Sequence, residues 1–253
     1  MANTNRKIIV WALFDSGNGC YTKAAQTFPN IDIYPIGIDI EKRNHHFIKL
    51  NLADYSQLFG KNRLFEVLDT LPKPDVILAS PPCESFSIAS AMWAGNACWK
   101  WVHQDKSGRF MIRNRSDYDV PQVSRVHFRY DKSFLNRING ELCIYNTIEI
   151  IKRYQPKVYV IENPLNSQIW RYINDVLGFT ILFDNPTYYG NYGYIVKKPT
   201  KFKSNIDLGL KYEDYYCGML FRKALKSYNE RSNIPLNLVE DIYHKVIEYL
   251  NDL

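Results

Sequence analysis

No run of the 253 residues is apolar enough over enough length to cross a membrane. No Cys-x-x-Cys pair occurs, and the five cysteines (Cys20, Cys83, Cys98, Cys143 and Cys217) are odd in number and scattered. That pattern argues against a metal site built on paired thiolates and against a disulfide framework. Gly-x-Gly-x-x-Gly and the Gly-Lys-Ser/Thr of a phosphate loop are both missing, which speaks against a ligand held by its pyrophosphate. The opening MANTNRKIIVWALFD lacks a small-residue cleavage site and runs straight into a strand-like segment. A secretory leader is therefore not expected, and the expected location is the cytoplasm. Internal repeats and low-complexity tracts are also lacking.

What remains is a globular composition, 46% hydrophobic and 23% charged, sufficient for a sizeable core in one domain. A net charge of +6 permits a polyanionic partner without identifying one. Apolar runs at 7–15, 33–40, 47–52, 74–80 and 157–163 read as buried strands. Helical periodicity is predicted for 21–28, 55–71 and 140–155, the last ended by Pro156. Strands alternating with helices imply crossover connections, hence an α/β fold with a mostly parallel sheet. In such sheets ligands bind beyond the carboxyl ends of the strands.

The residues at those ends carry chemistry. The first strand ends in DSGNG (15–19), where Gly17 and Gly19 allow a tight turn and close approach to a ligand; an ordinary glycine turn reads the same way. The second ends in GIDIE, and Asp39, with Glu41 as second candidate, can accept from ribose hydroxyls or be a surface acid. After the third comes NLAD, where Asp54 can accept from an adenine amino group or cap the segment starting at Tyr55. The fourth leads into DVILASPPCESFS (75–87), which places Cys83 in a loop stiffened by Pro81 and Pro82. The fifth ends in VIENP with Glu162 and Asn163. A thiol and a carboxylic acid facing each other across one pocket suit covalent attack on an electron-poor pyrimidine. The sulfur adds to C6, the acid serves N3, and C5 becomes nucleophilic. A buried structural cysteine and a plain turn are the competing readings.

SPPCESFS together with VIENP resembles the DNA cytosine-5 methyltransferases, and ERSNIPLNLVEDI (230–242) is similar to that family's final motif. The resemblance implies a Rossmann-like class I methyltransferase fold and S-adenosylmethionine as cofactor. By it Cys83 is the nucleophile, Glu162 contacts N3 and Asn163 holds the loop. Asp15, Gly17 and Gly19 would cradle methionine, Asp39 the ribose and Asp54 the adenine, with Phe14, Ser80 and Pro81 also beside the cofactor. It further implies double-stranded DNA as partner, a compact phage-like enzyme of the restriction-modification kind, and a second subunit as one source of sequence recognition.

The chain departs from the pattern in several places. Asp15 stands where the family usually has Phe, Ser80 where it often has Gly, and Glu84 where it often has Gln. Glu84 adds an acid near the thiol, which tends to raise its pKa. The family's Gln-x-Arg-x-Arg segment is not visible. In its place YYGNYGYIVKKPTKFKSN (188–205) offers Lys197, Lys198, Lys201 and Lys203 for phosphate or base contacts, or forms a solvated basic loop. Ser85 and the arginines Arg109, Arg113 and Arg115 are further candidates for nucleic-acid contact. The arginines lie in an aromatic and basic insertion at about 91–139. The expected organisation is a single domain over 1–253, with that insertion and a small recognition segment at about 184–230. SPPC also resembles the Ser-Pro-Pro-aromatic loop of amino-methyltransferases. That likeness, an RNA substrate, and a degenerate non-catalytic binding protein are the alternatives.

Overall fold

The computed structural model describes residues 6–15, 19–38, 46–87, 99–100, 111–112, 130–214 and 232–253. The elements in chain order are β1 (Ile8–Leu13), α1 (Cys20–Ala25), β2 (Ile31–Gly37), β3 (Ile48–Lys49), α2 (Arg63–Leu68), β4 (Val76–Ala79), β5 (Trp99–Lys100), β6 (Met111–Ile112), α3 (Tyr130–Tyr154), β7 (Val158–Pro164), α4 (Ile169–Arg171), β8 (Phe183–Tyr188), β9 (Pro199–Ser204) and α5 (Leu236–Asn251). Seven strands form one sheet in the order β3-β2-β1-β4-β7-β9-β8. β3, β2, β1, β4 and β7 pair in parallel, while β9 pairs antiparallel with both of its neighbours, β7 and β8. β5 and β6 form a separate antiparallel ladder. The main sheet is Rossmann-like, mostly parallel and flanked by helices, the fold class the resemblance implies.

Alternation along each strand divides the core in two. Val10, Ala12, Val76, Leu78, Val158 and Val160 pack with α1 and α5 on one face. Trp11, Leu13, Ile77, Ala79 and Ile161 pack with α2 and α3 on the other. Because both faces are covered, the central strands read as continuous apolar runs rather than as alternating ones. α5 docks through Leu238, Val239, Ile242, Tyr243 and Val246, and the Tyr243 hydroxyl donates to the Tyr21 carbonyl at 3.1 Å. The segment similar to the final motif thus folds back on the helix that follows β1.

Three expected elements differ. The helix predicted for 55–71 is split: Ser56–Phe59 form a 3₁₀ segment closed by Gly60 at a left-handed φ of 67°, and α2 runs only over Arg63–Leu68. The strand predicted for 47–52 pairs only over Ile48–Lys49. Beyond it Asn51 Oδ1 accepts from the Ala53 amide, and Asp54 Oδ2 accepts from both the amide and the hydroxyl of Ser56, turning the chain into a 3₁₀ segment. The helix predicted for 140–155 begins at Tyr130, inside the region read as an irregular insertion. Gly140 is therefore interior to a helix, where glycine costs about 1 kcal/mol relative to alanine. The reason is contact: a Cβ at Gly140 would lie 2.3 Å from Ser85 Oγ and 3.2 Å from Phe86 Cε2. The helix needs glycine there so that the loop carrying Cys83 can press against it.

Candidate active site

A cavity of about 900 Å³ opens along the carboxyl ends of the parallel strands. β1 is flanked by β2 and β4, so the chain order reverses there, at the switch point where α/β sheets bind ligands. One half of the wall is Phe14, Asp15, Gly19, Ile38, Leu50, Asn51 and Leu52, from the ends of β1, β2 and β3. The other half includes Ser80 to Glu84 after β4, Glu162 to Pro164 at the end of β7, and Val196 to Pro199 leading into β9. Asn139 and Cys143 of α3 and the segment Ser232–Ile234 complete it.

The turn after β1 is built around a carboxylate. Asp15 Oδ1 accepts from the Gly19 amide at 2.9 Å, and Oδ2 accepts from the amide and hydroxyl of Thr22, each at 3.1 Å. These bonds satisfy donors at the start of α1. A Cβ at Gly19 would sit 2.0 Å from Asp15 Oδ1, and one at Gly37 would sit 2.5 Å from the Asp15 carbonyl oxygen. Both glycines are thus required by the close approach of Asp15 itself. Phe14 adopts a left-handed φ of 68°, which turns Asp15 inward while Phe14 stays on the cavity wall.

Cys83 and Glu162 line the same cavity, at the ends of the adjacent parallel strands β4 and β7. Asn163 is buried and donates from Nδ2 to the Pro81 carbonyl at 2.9 Å, tying the proline loop to β7. Burial pushes the Cys83 thiol up to about 12, with the charges of Glu84 and Glu162 adding to the rise and Lys198 opposing it. Burial likewise raises Glu162, against the lowering effects of Lys198 and of hydrogen bonds from Tyr189 and Ser80. The Tyr189 hydroxyl donates to Glu162 Oε1 at 3.1 Å. Lys198, at a φ of 33°, holds its Nζ 4.3 Å from the centre of the Tyr189 ring. Its own pKa is lowered by burial, against the charges of Glu162, Cys83 and Cys20. The pocket therefore contains a neutral thiol, an acid that keeps its proton above the usual carboxylate range, and the half-buried Lys198 amine between them.

The remaining expected site residues divide between the cavity wall and other surroundings. Asp54 is not on the cavity wall, and its carboxylate is engaged by Ser56. Ser85 is buried behind the loop against Gly140. Lys201 does not line the cavity and pairs with Asp184 at 2.5 Å. Lys197 does line it, and is paired with Asp214. Gly17, Asp39, Arg109, Arg113 and Arg115 lie outside the described residues. Sequence reasoning missed Tyr21, Tyr189 and Asn146. Tyr21 lines the cavity and meets Ser80 Oγ at 2.8 Å through its hydroxyl. Asn146 Nδ2 donates to the carbonyls of Leu52 and Asp54 at 2.7 and 2.8 Å, fixing the turn that puts Asn51 and Leu52 on the wall. A tyrosine-rich segment and one asparagine inside a helix carry no local signal of such partners.

No protein-family model matches the chain, and no curated protein matches it in sequence. Among solved structures it is similar to a DNA modification methyltransferase encoded within a prophage (E. coli), at 16% identity and a TM-score of 0.42, covering 78% of this chain and 46% of that one. It is similar also to the Entamoeba histolytica methyltransferase EhMeth, at 14% identity and a TM-score of 0.39, covering 82% of this chain and 56% of that one. For Spodoptera frugiperda DNMT2 the values are 14% identity, a TM-score of 0.36, and 83% and 54%. The chain thus spans about half the length of these structures.

Proposed function

We propose that the chain is an S-adenosylmethionine-dependent DNA cytosine-5 methyltransferase that uses Cys83 as nucleophile on an extruded base. The observation that carries this reading is the pairing of Cys83 and Glu162 on one cavity wall, with Asn163 bonded to the loop between them. A cavity of about 900 Å³ is at the upper end of the range for ligand sites, roomy enough for a cofactor and a base. Phe14, Ile38, Leu50 and Leu52 supply apolar faces and Asn51 a polar edge, a set that fits an adenosyl group. When bound, the cofactor supplies an electrophilic methyl group.

The chain's own residues do the rest. Cys83 gives up its proton to solvent as the base enters, with Lys198 as the nearby cation that favours the thiolate. The sulfur forms a bond to C6, and Glu162, still carrying its proton, donates it toward N3 so that charge does not build up on the ring. C5 thereby gains electron density for methyl transfer. The C5 proton then passes to solvent, the N3 proton returns to Glu162, and the C6–S bond breaks to expel the thiolate and restore the C5–C6 double bond. The net charge of +6 and Lys197 on the cavity wall suit a phosphate backbone.

The test is the product. DNA incubated with the isolated chain and S-adenosylmethionine, digested to nucleosides and weighed by mass spectrometry, should contain 5-methylcytosine. N4-methylcytosine or N6-methyladenine would instead indicate the amino-methyltransferase alternative, and methylated RNA alone would change the substrate. Activity on plasmid DNA without any other protein would show that no second subunit is required.

A further inference from the structure

Tyr189 is fully buried behind the cavity wall, and its hydroxyl donates to Glu162 Oε1 at 3.1 Å. The sheet brings the two together. β9 pairs antiparallel with β7, placing Phe202 opposite Glu162, and β8 pairs with β9 so that Tyr188 lies opposite Pro199. Tyr189 opens the 3₁₀ turn that follows β8. Its amide donates to the Lys198 carbonyl at 3.3 Å, and its own carbonyl accepts from the Tyr194 amide at 3.2 Å. Lys198 Nζ lies 4.3 Å from the centre of its ring, and the Tyr194 ring meets it edge-on at 5.6 Å. Backbone and ring are both held, so the hydroxyl is a donor fixed in advance. A protonated carboxyl has one O–H and one oxygen that only accepts. With Tyr189 donating to Oε1, the acidic proton belongs on Oε2. Tyr189 is off the cavity wall and Glu162 is on it, so the oxygen that faces Tyr189 is turned into the protein. Oε2 is the one left for a base.

We propose that Tyr189 is a positioning residue for Glu162: by donating to Oε1 it holds the acidic proton on Oε2, the oxygen that meets N3 of the base. The proposal rests on the reading of Glu162 as the acid and adds a residue that none of the sequence motifs assigns. As the Oε2–H bond gives its proton to N3, its electron pair stays on the carboxyl and the charge spreads over both oxygens. The Tyr189 bond to Oε1 then becomes charge-assisted and strengthens, which favours the transfer. Among the described residues, the charged and titratable groups facing Glu162 are Lys198 and Tyr189 from the β8–β9 connection, Cys83 from the loop after β4, and Tyr21 from α1. Burial raises Glu162, and Lys198 and the Tyr189 bond oppose it. Without the Tyr189 hydroxyl, Glu162 keeps its proton to higher pH, but that proton is no longer confined to the oxygen facing the base.

Tyr189→Phe removes the donor and keeps the ring that Lys198 and Tyr194 pack against. The first readout needs neither cofactor nor nucleic acid. It is the carbonyl stretch of the protonated Glu162 carboxyl, isolated by infrared difference against Glu162→Gln at mildly acidic pH. In Tyr189→Phe the band should move to higher wavenumber, because a carbonyl oxygen that loses a hydrogen bond regains double-bond character. The pH at which the band disappears should rise with it. Ring-fluorinated tyrosine at position 189, a stronger donor of nearly the same shape, should move the band the opposite way. The second readout is methyl transfer. Tyr189→Phe should lower kcat about tenfold with KM little changed, and that loss should vanish in a Glu162→Gln background. A band that stays in place in both position-189 variants, or a kcat loss equally large without Glu162, would overturn the role of Tyr189. Absence of 5-methylcytosine from the unaltered protein would instead overturn the assignment of the reaction, and the infrared band would still decide whether Tyr189 holds Glu162.

Discussion

At Cys83 the physical problem is activation. A thiol pushed up to about 12 is almost wholly protonated near neutrality, so the proposed reaction requires Cys83 to lose its proton once a base is bound. Lys198 is the one group named above that lowers both Cys83 and Glu162. Lys198→Met should raise the thiol further, and Cys83 alkylation at a fixed alkaline pH should slow severalfold while unfolding by denaturant remains cooperative. Glu162→Gln keeps the shape of the side chain but has no acidic proton to give. Its kcat should fall by roughly 10²–10⁴, with cofactor affinity by calorimetry unchanged.

At the scale of elements, the strands were legible because a doubly covered parallel strand is apolar at every position. Residues 8–13 and 76–79 need no partner to be recognised, whereas β2, predicted for 33–40, runs over 31–37 because it takes in Asp32, which breaks the apolar run. The ends of elements were less so. The start of α3 at Tyr130 has no periodicity to mark it, and Gly140 reads locally as a helix boundary when it is a point of contact with Ser85. The Cys83 and Glu162 pair was legible because two short motifs flank it at the ends of strands. Tyr21, Tyr189 and Asn146 were not, since their hydrogen-bond partners lie 27 to 94 positions away. The glycines give direct tests. Gly37→Ala drives a Cβ to 2.5 Å from a backbone oxygen, which no side-chain rotation relieves. It should lower the midpoint of thermal unfolding and weaken S-adenosylhomocysteine binding together. Gly140→Ala meets the movable hydroxyl of Ser85, so its effect should fall mainly on kcat, because the displaced loop carries Cys83.

Over the whole molecule, many neutral acids are buried. Cys83 and Cys143 are pushed up to about 12 from an ordinary 9.0, and Tyr21, Tyr189 and Tyr243 are raised well above 10.0, all chiefly by burial. The unfolded chain ionises these groups first. Their contribution to stability is therefore complete below pH 9.0 and is lost as the pH rises toward about 12. Thermal unfolding followed by circular dichroism should show a midpoint that falls steadily across that window, and Cys143→Ala should shrink the slope. Among the described residues no helix is long and apolar enough to cross a membrane. The cavity, the two acids beside the thiol and the half-buried Lys198 all converge on one expectation, a covalent bond between this protein and a pyrimidine. Duplex DNA carrying 5-fluorocytosine, incubated with the protein and S-adenosylmethionine and digested with protease, measures it directly. The expected result is a nucleotide-bearing peptide containing Cys83, absent from Cys83→Ser. A protein that binds the cofactor and the DNA yet yields no such peptide would contradict it.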